Sequence, residues 1–190
     1  WVSLPAAWGA EAPVFTKVVR FPGIFPTRLV RDRAGNLVMA QHGVQGPMKV
    51  TKLNSKGEVL WTKSFPGDST ECGSLAMDGQ NNILLTGYIS GSATFDGTTL
   101  QTAGPRNWDR DLFVLKLNPN GKVLWVRRAG LRPEWLPVGR AIGADAAGNV
   151  FVGGGFKPKC DFERILLASR SSGNFDSFLA KWSTTGNLLW

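Results

Sequence analysis

Short runs of apolar residues, separated by glycine-containing turns, follow one another along most of the chain. The runs at 112–115 (Leu-Phe-Val-Leu) and 177–180 (Ser-Phe-Leu-Ala) lack the alternation of apolar and polar residues that is typical of a strand with one solvent-exposed face. Such runs are typical of strands that are buried between two layers. Apolar residues do not recur at helical spacing over any long stretch, and glycine or proline interrupts the chain at short intervals. The pattern predicts an all-β protein.

A hairpin that ends on tryptophan occurs three times. In each copy a glycine is followed by apolar residues and then by tryptophan, and the copies recur at nearly equal intervals. The glycines are Gly57, Gly121 and Gly186, and the tryptophans are Trp61, Trp125 and Trp190. A fixed period of this length indicates one supersecondary unit that is stacked several times.

A second repeated turn lies upstream of each tryptophan. It reads Asp-x-x-Gly-Asn or Asp-x-x-Asn-Asn, begins at Asp32, Asp78 and Asp145, and has short apolar runs on both sides. The aspartate carboxylate can cap such a turn, and glycine or asparagine takes its left-handed position at low steric cost. We interpret both turns as β-hairpins and these nine residues as structural anchors of the repeat.

Each repeat therefore contains four predicted strands. They lie at about 28–32, 37–42, 48–54 and 58–64; 74–78, 83–90, 112–118 and 122–128; and 139–145, 149–156, 177–183 and 187–190. Four-stranded antiparallel sheets in tandem are typical of β-propeller blades, here at about 28–65, 74–130 and 139–190. A lone N-terminal strand near 13–20 precedes them. Because ring closure takes at least about four blades, we predict a β-propeller fragment with an incomplete ring.

The two longer repeats carry inserts between their second and third strands, at 91–111 and 157–176. Insertions at one place in a repeat map to one rim of the assembly, which is often the binding face. Trp108 lies in the first insert and Trp135 lies in the link 131–138, both outside the repeat pattern. These two tryptophans are the candidates for stacking against a ligand such as a glycan or a peptide.

The charge and the reactive residues add no catalytic site. The net charge is +8, but lysine and arginine are spread along the chain without a basic run, which argues against a nucleic-acid site. The one histidine, His42, lies on a predicted strand, and nucleophile-elbow, Walker A and HExxH patterns are absent. Cys72 and Cys160 lack the spacing of a metal site, and the sequence does not decide whether they form a disulfide. We predict no enzyme activity, no cofactor, no metal and no membrane span.

These motifs resemble the bacterial seven-bladed β-propeller repeat family, whose tandem units are called SBBP repeats. Asp145 to Gly154 matches its D-x-x-G-N-hydrophobic-x-V-x-G segment, and Asp111 to Trp125 matches D-x-F-V-x-K-L-N-x-x-G-x-x-L-W. The resemblance covers about residues 28–190. The chain departs from it at 48–50 in the short first repeat and at 182–183, where Trp-Ser replaces Leu-Asn. The resemblance implies exported or cell-surface bacterial proteins whose repeats act as scaffolds or binding modules, with no catalytic residues to carry over.

The alternative resemblance is to the quinoprotein-like propellers, which use pyrroloquinoline quinone. Their repeat also ends in Gly-x-x-x-Trp, as here, and the residues before the glycine approach their pattern only at Thr185-Gly186. The enzymes of that class use a calcium-bound quinone beside a vicinal disulfide or stacking aromatics. This chain has no adjacent cysteines.

The first twelve residues leave two interpretations open. Ala10-Glu11-Ala12 has the small-x-small form of a signal-peptide cleavage site, so 1–12 is either the end of a signal peptide or a preceding segment. Residues 13–190 form the partial propeller. We predict a non-catalytic scaffold or a ligand- or protein-binding module of a larger, exported bacterial protein. Its partners would be other blades of the same parent chain and a protein or glycan ligand, and its ligand and total blade number stay open.

Overall fold

The computed structural model describes residues 25–42, 47–102, 109–130, 137–163, 165–170 and 174–190. Within these ranges every regular element is a β-strand, and the strands pair antiparallel in several separate sheets. The predicted all-β fold is confirmed, and its successive sheets form an incomplete, propeller-like array without a closed barrel among the described strands.

Three sheets follow one another along the chain and correspond to the three repeats. The first contains β1 (Phe25–Arg31), β2 (Leu37–His42), β3 (Met48–Leu53) and β4 (Val59–Phe65), hydrogen-bonded in that order. The second contains β5 (Gly67–Met77), β6 (Ile83–Phe95), β8 (Asp111–Leu117) and β9 (Val123–Ala129), and β7 (Thr98–Gln101) pairs with the far half of β6. The third contains β10 (Val138–Ala144), β11 (Val150–Phe156) and β14 (Asp176–Trp182). A small hairpin of β12 (Lys159–Phe162) and β13 (Ile165–Ala168) accompanies it.

The fourth strand that we predicted at 187–190 is reduced to a single bridge. Leu188 pairs with Trp182, and the main chains of Leu189 and Trp190 hydrogen-bond to Lys181. The strands β7, β12 and β13 had no counterpart in the prediction, because each contains only four residues, too few for a period to stand out.

Each aspartate-initiated turn has the same hydrogen bonds. The carboxylate of Asp78 accepts the backbone N–H of Asn82 at 2.9 Å and the Asn82 side-chain amide at 2.8 Å. The pairs Asp32–Asn36 and Asp145–Asn149 repeat this geometry. The left-handed position is occupied by Gly35, Asn81 and Gly148, with φ of 84°, 60° and 84°.

The apolar core fills the two junctions between successive sheets. Strand β8 is buried along its whole length because it contributes to both: Phe113 and Leu115 face the first sheet, and Leu112 and Val114 face the third. This position explains why the run 112–115 lacks alternation.

The first strand of each insert hairpin packs into a junction, whereas the second strand, β7 or β13, is mostly exposed. The ring of Phe95 lies 5.1 Å from Phe65 and 5.8 Å from Phe113, between the first and second sheets. The ring of Phe162 lies 5.0 Å from Phe178 and 6.1 Å from Trp182 in the next junction. The first strand of each insert hairpin is therefore a wedge that adds apolar area to a blade junction.

Cys72 and Cys160 are free thiols, so the disulfide that the sequence left open is not formed. Both are buried, and they belong to different core clusters on the two sides of the second sheet.

Candidate functional site

The repeated tryptophans join one sheet to the glycine turn of the next. The ring of Trp61 lies against Gly121, and a Cβ added to Gly121 would come within 3.2 Å of that ring. The ring of Trp125 lies against Gly186 in the same way, and a Cβ added to Gly186 would come within 2.8 Å of it. Trp125 Nε1 also donates a hydrogen bond to the Thr184 carbonyl oxygen at 2.9 Å. The described residues thus show the same tryptophan-to-turn contact at both junctions.

A lysine accompanies each aspartate-initiated turn, and two of the three, Lys52 and Lys116, are buried. Lys116 Nζ lies 2.9 Å from the Asp78 carboxylate and donates to the Gly148 carbonyl oxygen of the third sheet at 3.3 Å. Burial disfavours the charged form of Asp78, but hydrogen bonds from Asn82 and Lys116 outweigh it and lower the pKa of Asp78. Lys52–Asp32 and Lys181–Asp145 are equivalent pairs, at 3.0 Å and 3.2 Å. These carboxylates serve the turns and junctions, which argues against roles as catalytic acids.

One face of the third sheet is exposed, although the equivalent faces of the first and second sheets are buried. Equivalent positions on the third strand of each repeat are Val50, 0% exposed, Val114, 1% exposed, and Leu179, 62% exposed. The tryptophans show the same trend, since Trp125 is 7% exposed and Trp190 is 50% exposed. The difference arises because the second and third sheets cover the faces before them, whereas no described element covers the third.

The first strands of the three sheets, β1, β5 and β10, pack beside one another. Each carries a β-bulge at the equivalent place, between Pro26 and Arg28, between Cys72 and Ser74, and between Gly139 and Ala141. The backbones meet there so closely that a Cβ on Gly73 would overlap the Gly139 carbonyl oxygen. The bulges therefore set which side chains meet at these inner strands.

Three polar side chains form a chain of contacts at the edge of the second sheet, Glu71, Tyr88 and Arg110. The charge of Arg140, on the adjoining first strand of the third sheet, also acts on Tyr88. The hydroxyl of Tyr88 donates to the Glu71 carboxylate at 2.7 Å, and the Arg110 guanidinium lies 4.1 Å from the centre of the Tyr88 ring. Burial and the hydrogen bond to Glu71 raise the pKa of Tyr88, and the charges of Arg110 and Arg140 oppose this rise. We call these residues the arginine–tyrosine cluster.

The cluster lies toward the end of the sheets that is opposite the aspartate and glycine turns. Arg110 directly precedes β8, and Arg140 lies near the start of β10. On the other side of β5, Arg28 Nε donates to the Gly73 carbonyl oxygen at 2.7 Å.

The sequence-predicted ligand residues Trp108 and Trp135 lie outside the described residues, as does the side chain of His42. The arginine–tyrosine cluster was missed by sequence reasoning. One signal was available: Tyr88 is the only tyrosine of the chain and interrupts a mostly apolar strand. Its partners come from separate strands, so spacing along the chain does not connect them.

The described part of the chain contains no helix with the length and apolarity needed to cross a bilayer.

Comparison with known proteins yields a structural likeness that is weak. No protein-family model and no curated protein matches the chain. Among solved structures, it is similar to a protein of unknown function from Bacteroides caccae, with 15% identity and a TM-score of 0.37. The alignment covers 91% of this chain and 68% of that one. A similarity of this size does not bear on function, and the architecture rests on the sheets described above.

Proposed function

We propose that this chain is part of a larger β-propeller that acts as a non-catalytic scaffold or binding module. The observation that carries the proposal is the uncovered face of the third sheet. Leu179 and Trp190 are exposed, whereas the equivalent Val114 and Trp125 are buried by a neighbouring blade. Apolar area of this kind is stabilised by a partner of matching shape, and the repeat itself supplies one.

The partner in this proposal is another blade of the same repeat, contributed by the parent chain. Such a blade would place its glycine turn on Trp190, as the turn at Gly186 lies on Trp125. Its first strand would pack beside β10, as β10 packs beside β5.

The test appends one further repeat to the protein. A copy of residues 62–125 placed directly after Trp190 continues the sequence register, because residue 62 follows Trp61 in the natural repeat. We expect a higher Tm and a blue-shifted tryptophan emission, since Trp190 and Leu179 become buried. The matched control changes the appended copy of Gly121 to Val, which removes the space for the Trp190 ring.

An appended repeat that leaves the Tm and the emission unchanged, or that behaves like its Gly121→Val control, contradicts the proposal. The described face would then have a different partner.

An extracellular or cell-surface location in a bacterium belongs to the same proposal and rests on the resemblance to SBBP repeats. It is tested by fusing the parent reading frame, from its start codon through residue 24, to an alkaline phosphatase that lacks its own leader. Phosphatase activity in intact bacteria supports export through this segment, and activity confined to lysed cells removes that support.

A ligand-binding role is supported by the half-exposed arginine–tyrosine cluster between the second and third sheets. Trp108 and Trp135 stay candidates for a stacking surface for a glycan or protein ligand. The engagement of Asp32, Asp78 and Asp145 in turn hydrogen bonds supports a role without acid–base catalysis.

A further inference from the structure

The arginine–tyrosine cluster has the charge and the geometry of an anion site. We propose that Arg110 and Arg140 bind the carboxylate group of an acidic ligand where the second and third sheets adjoin. The proposal rests on the binding role proposed above and deepens it by naming the chemical class of the ligand.

Arg110 is held in place by an aromatic platform. Its guanidinium stacks on the Tyr88 ring at 4.1 Å, and the Tyr88 hydroxyl is in turn anchored to the Glu71 carboxylate at 2.7 Å. A guanidinium held over an aromatic face keeps in-plane N–H donors that other groups can bind. Tyr88 is therefore a positioning residue, and the N–H edge of Arg110 is the binding group.

Arg140 belongs to the third sheet, and the backbone around it determines where it lies. It lies at the β-bulge of β10, where the extra residue redirects a side chain. The adjacent Gly139 packs so tightly against Thr86 of β6 that no side chain fits between them. This contact fixes the position of the bulge, and hence of Arg140, relative to Tyr88.

Neither arginine is neutralised by a neighbour within the described ranges. The ion pairs found there join other residues, and no described carboxylate oxygen lies within 4.0 Å of a nitrogen of Arg110 or Arg140. Arg140 is exposed, and Arg110 is half-buried. A partly desolvated guanidinium with unused donors binds a planar oxyanion through charge-assisted, often bidentate hydrogen bonds.

The charge balance favours a single carboxylate. Among the charged groups that act most on Tyr88, Arg110 and Arg140 are cationic and Glu71 is anionic. A ligand with a single negative charge is repelled less by Glu71 than a dianion is. A uronic acid and an acidic peptide both present this group.

The experiment uses the single tyrosine of the chain as its reporter. In protein labelled on its tyrosine ring, the NMR signals of Tyr88 are followed during titration with galacturonate and, separately, with N-acetylglutamate. Galactose and N-acetylglutamine are the matched neutral probes, and sulfate is the dianion. We expect saturable shifts with one or both carboxylates and none with the neutral probes, and the stronger carboxylate identifies the source.

Variants locate the site. Arg110→Gln and Arg140→Gln should each weaken carboxylate binding by about ten-fold or more, because each removes a charge-assisted hydrogen bond. Arg33→Gln, an equal charge change at an exposed turn, is the control and should bind as the wild type does. A second readout is the phenol titration of Tyr88, whose pKa should rise in both cluster variants since both arginines lower it.

Three results would overturn the proposal: no shift with either carboxylate, equal binding of sulfate, or binding that survives both cluster substitutions. The appended-repeat experiment does not depend on this site. A gain in Tm there, together with no carboxylate binding here, would reject the ligand class and leave the propeller role standing.

Discussion

At the scale of the residue, Gly186 meets two requirements at once. Its φ is +84°, a left-handed conformation that costs side-chain-bearing residues energy, and the space that a Cβ would take is filled by the Trp125 ring. Gly121 is in the same position relative to Trp61. The repeated glycine and the repeated tryptophan are therefore two sides of one contact between neighbouring blades.

Gly186→Ala should destabilise the protein by about 2–4 kcal/mol, from left-handed strain and overlap with Trp125. Urea unfolding followed by tryptophan fluorescence measures the change. Gly143→Ala is the control, because Gly143 has no neighbour within 4 Å of its added Cβ and no positive φ. Equal losses in the two variants would show that the contact with Trp125 does not matter.

Asp145 should give the protein a defined acid sensitivity. Hydrogen bonds from Asn149 lower the pKa of Asp145 to about 2, against an ordinary value of about 3.9. A carboxyl group whose pKa is lowered on folding stabilises the protein above its unfolded pKa, and this contribution disappears as the pH falls through its folded pKa. Asp145→Asn should therefore be less stable than the wild type at neutral pH.

The two proteins should converge between about pH 4 and pH 2, as Asp145 becomes protonated in the wild type. Unfolding midpoints measured across this range test the idea. A stability difference that stays constant down to about pH 2 would contradict it.

At the scale of the element, the insert hairpins tie neighbouring blades together. Strand β7 pairs with the far half of β6, and the intervening turn places Asp96 where it accepts the Val123 backbone N–H at 3.0 Å. Lys63 of the first sheet pairs with the same carboxylate. One turn thus connects its own hairpin, the preceding sheet and the outer strand of its own sheet.

Phe95→Ala should cost about 3–5 kcal/mol, because Phe95 is fully buried between two other phenylalanines. Leu124→Ala, at a half-exposed position of β9, should change stability far less and serves as the control. Thermal unfolding by circular dichroism separates them. A small effect of Phe95→Ala would mean that the hairpin is not a wedge.

At the scale of the whole molecule, the junctions between successive blades bury side chains that a single blade would leave exposed. The first junction contains Cys72 and the second contains Cys160. Burial raises the pKa of Cys72 to about 12, and burial likewise raises the pKa of Cys160. The folded array should therefore shield both thiols from reagents that attack the thiolate.

We expect no reaction of the native protein with a thiol reagent such as DTNB near neutral pH. Two thiols per chain should react after unfolding in guanidinium without reductant, since both cysteines are free. Fewer than two would indicate a disulfide, and rapid reaction of the native protein would contradict the closed junctions.

Particular residues show which contacts can be predicted from local sequence and which cannot. The aspartate turns follow from short-range chemistry, since carboxylate, amide and left-handed glycine or asparagine all lie within five consecutive residues. The residues that contact Phe95 and Tyr88 come from segments far apart in the chain, so no local sequence pattern predicts these contacts. In the inserts, the length of the segments suggested an exposed rim, and the structure adds that Phe95 and Phe162 anchor the first strand of each hairpin in the core while the second strands are exposed.

By itself the sequence determined the strand-and-turn repeat and its stacking, because the period of apolar residues, the turn chemistry and the glycine–tryptophan spacing are written in consecutive residues. Only the tertiary structure decided which side chains meet across the junctions. The docking of Trp125 on Gly186, the wedge at Phe95 and the contact of Arg110 with Tyr88 depend on how strands far apart in the chain pack together. Such contacts join residues far apart in the chain, and their geometry follows from close packing of whole sheets.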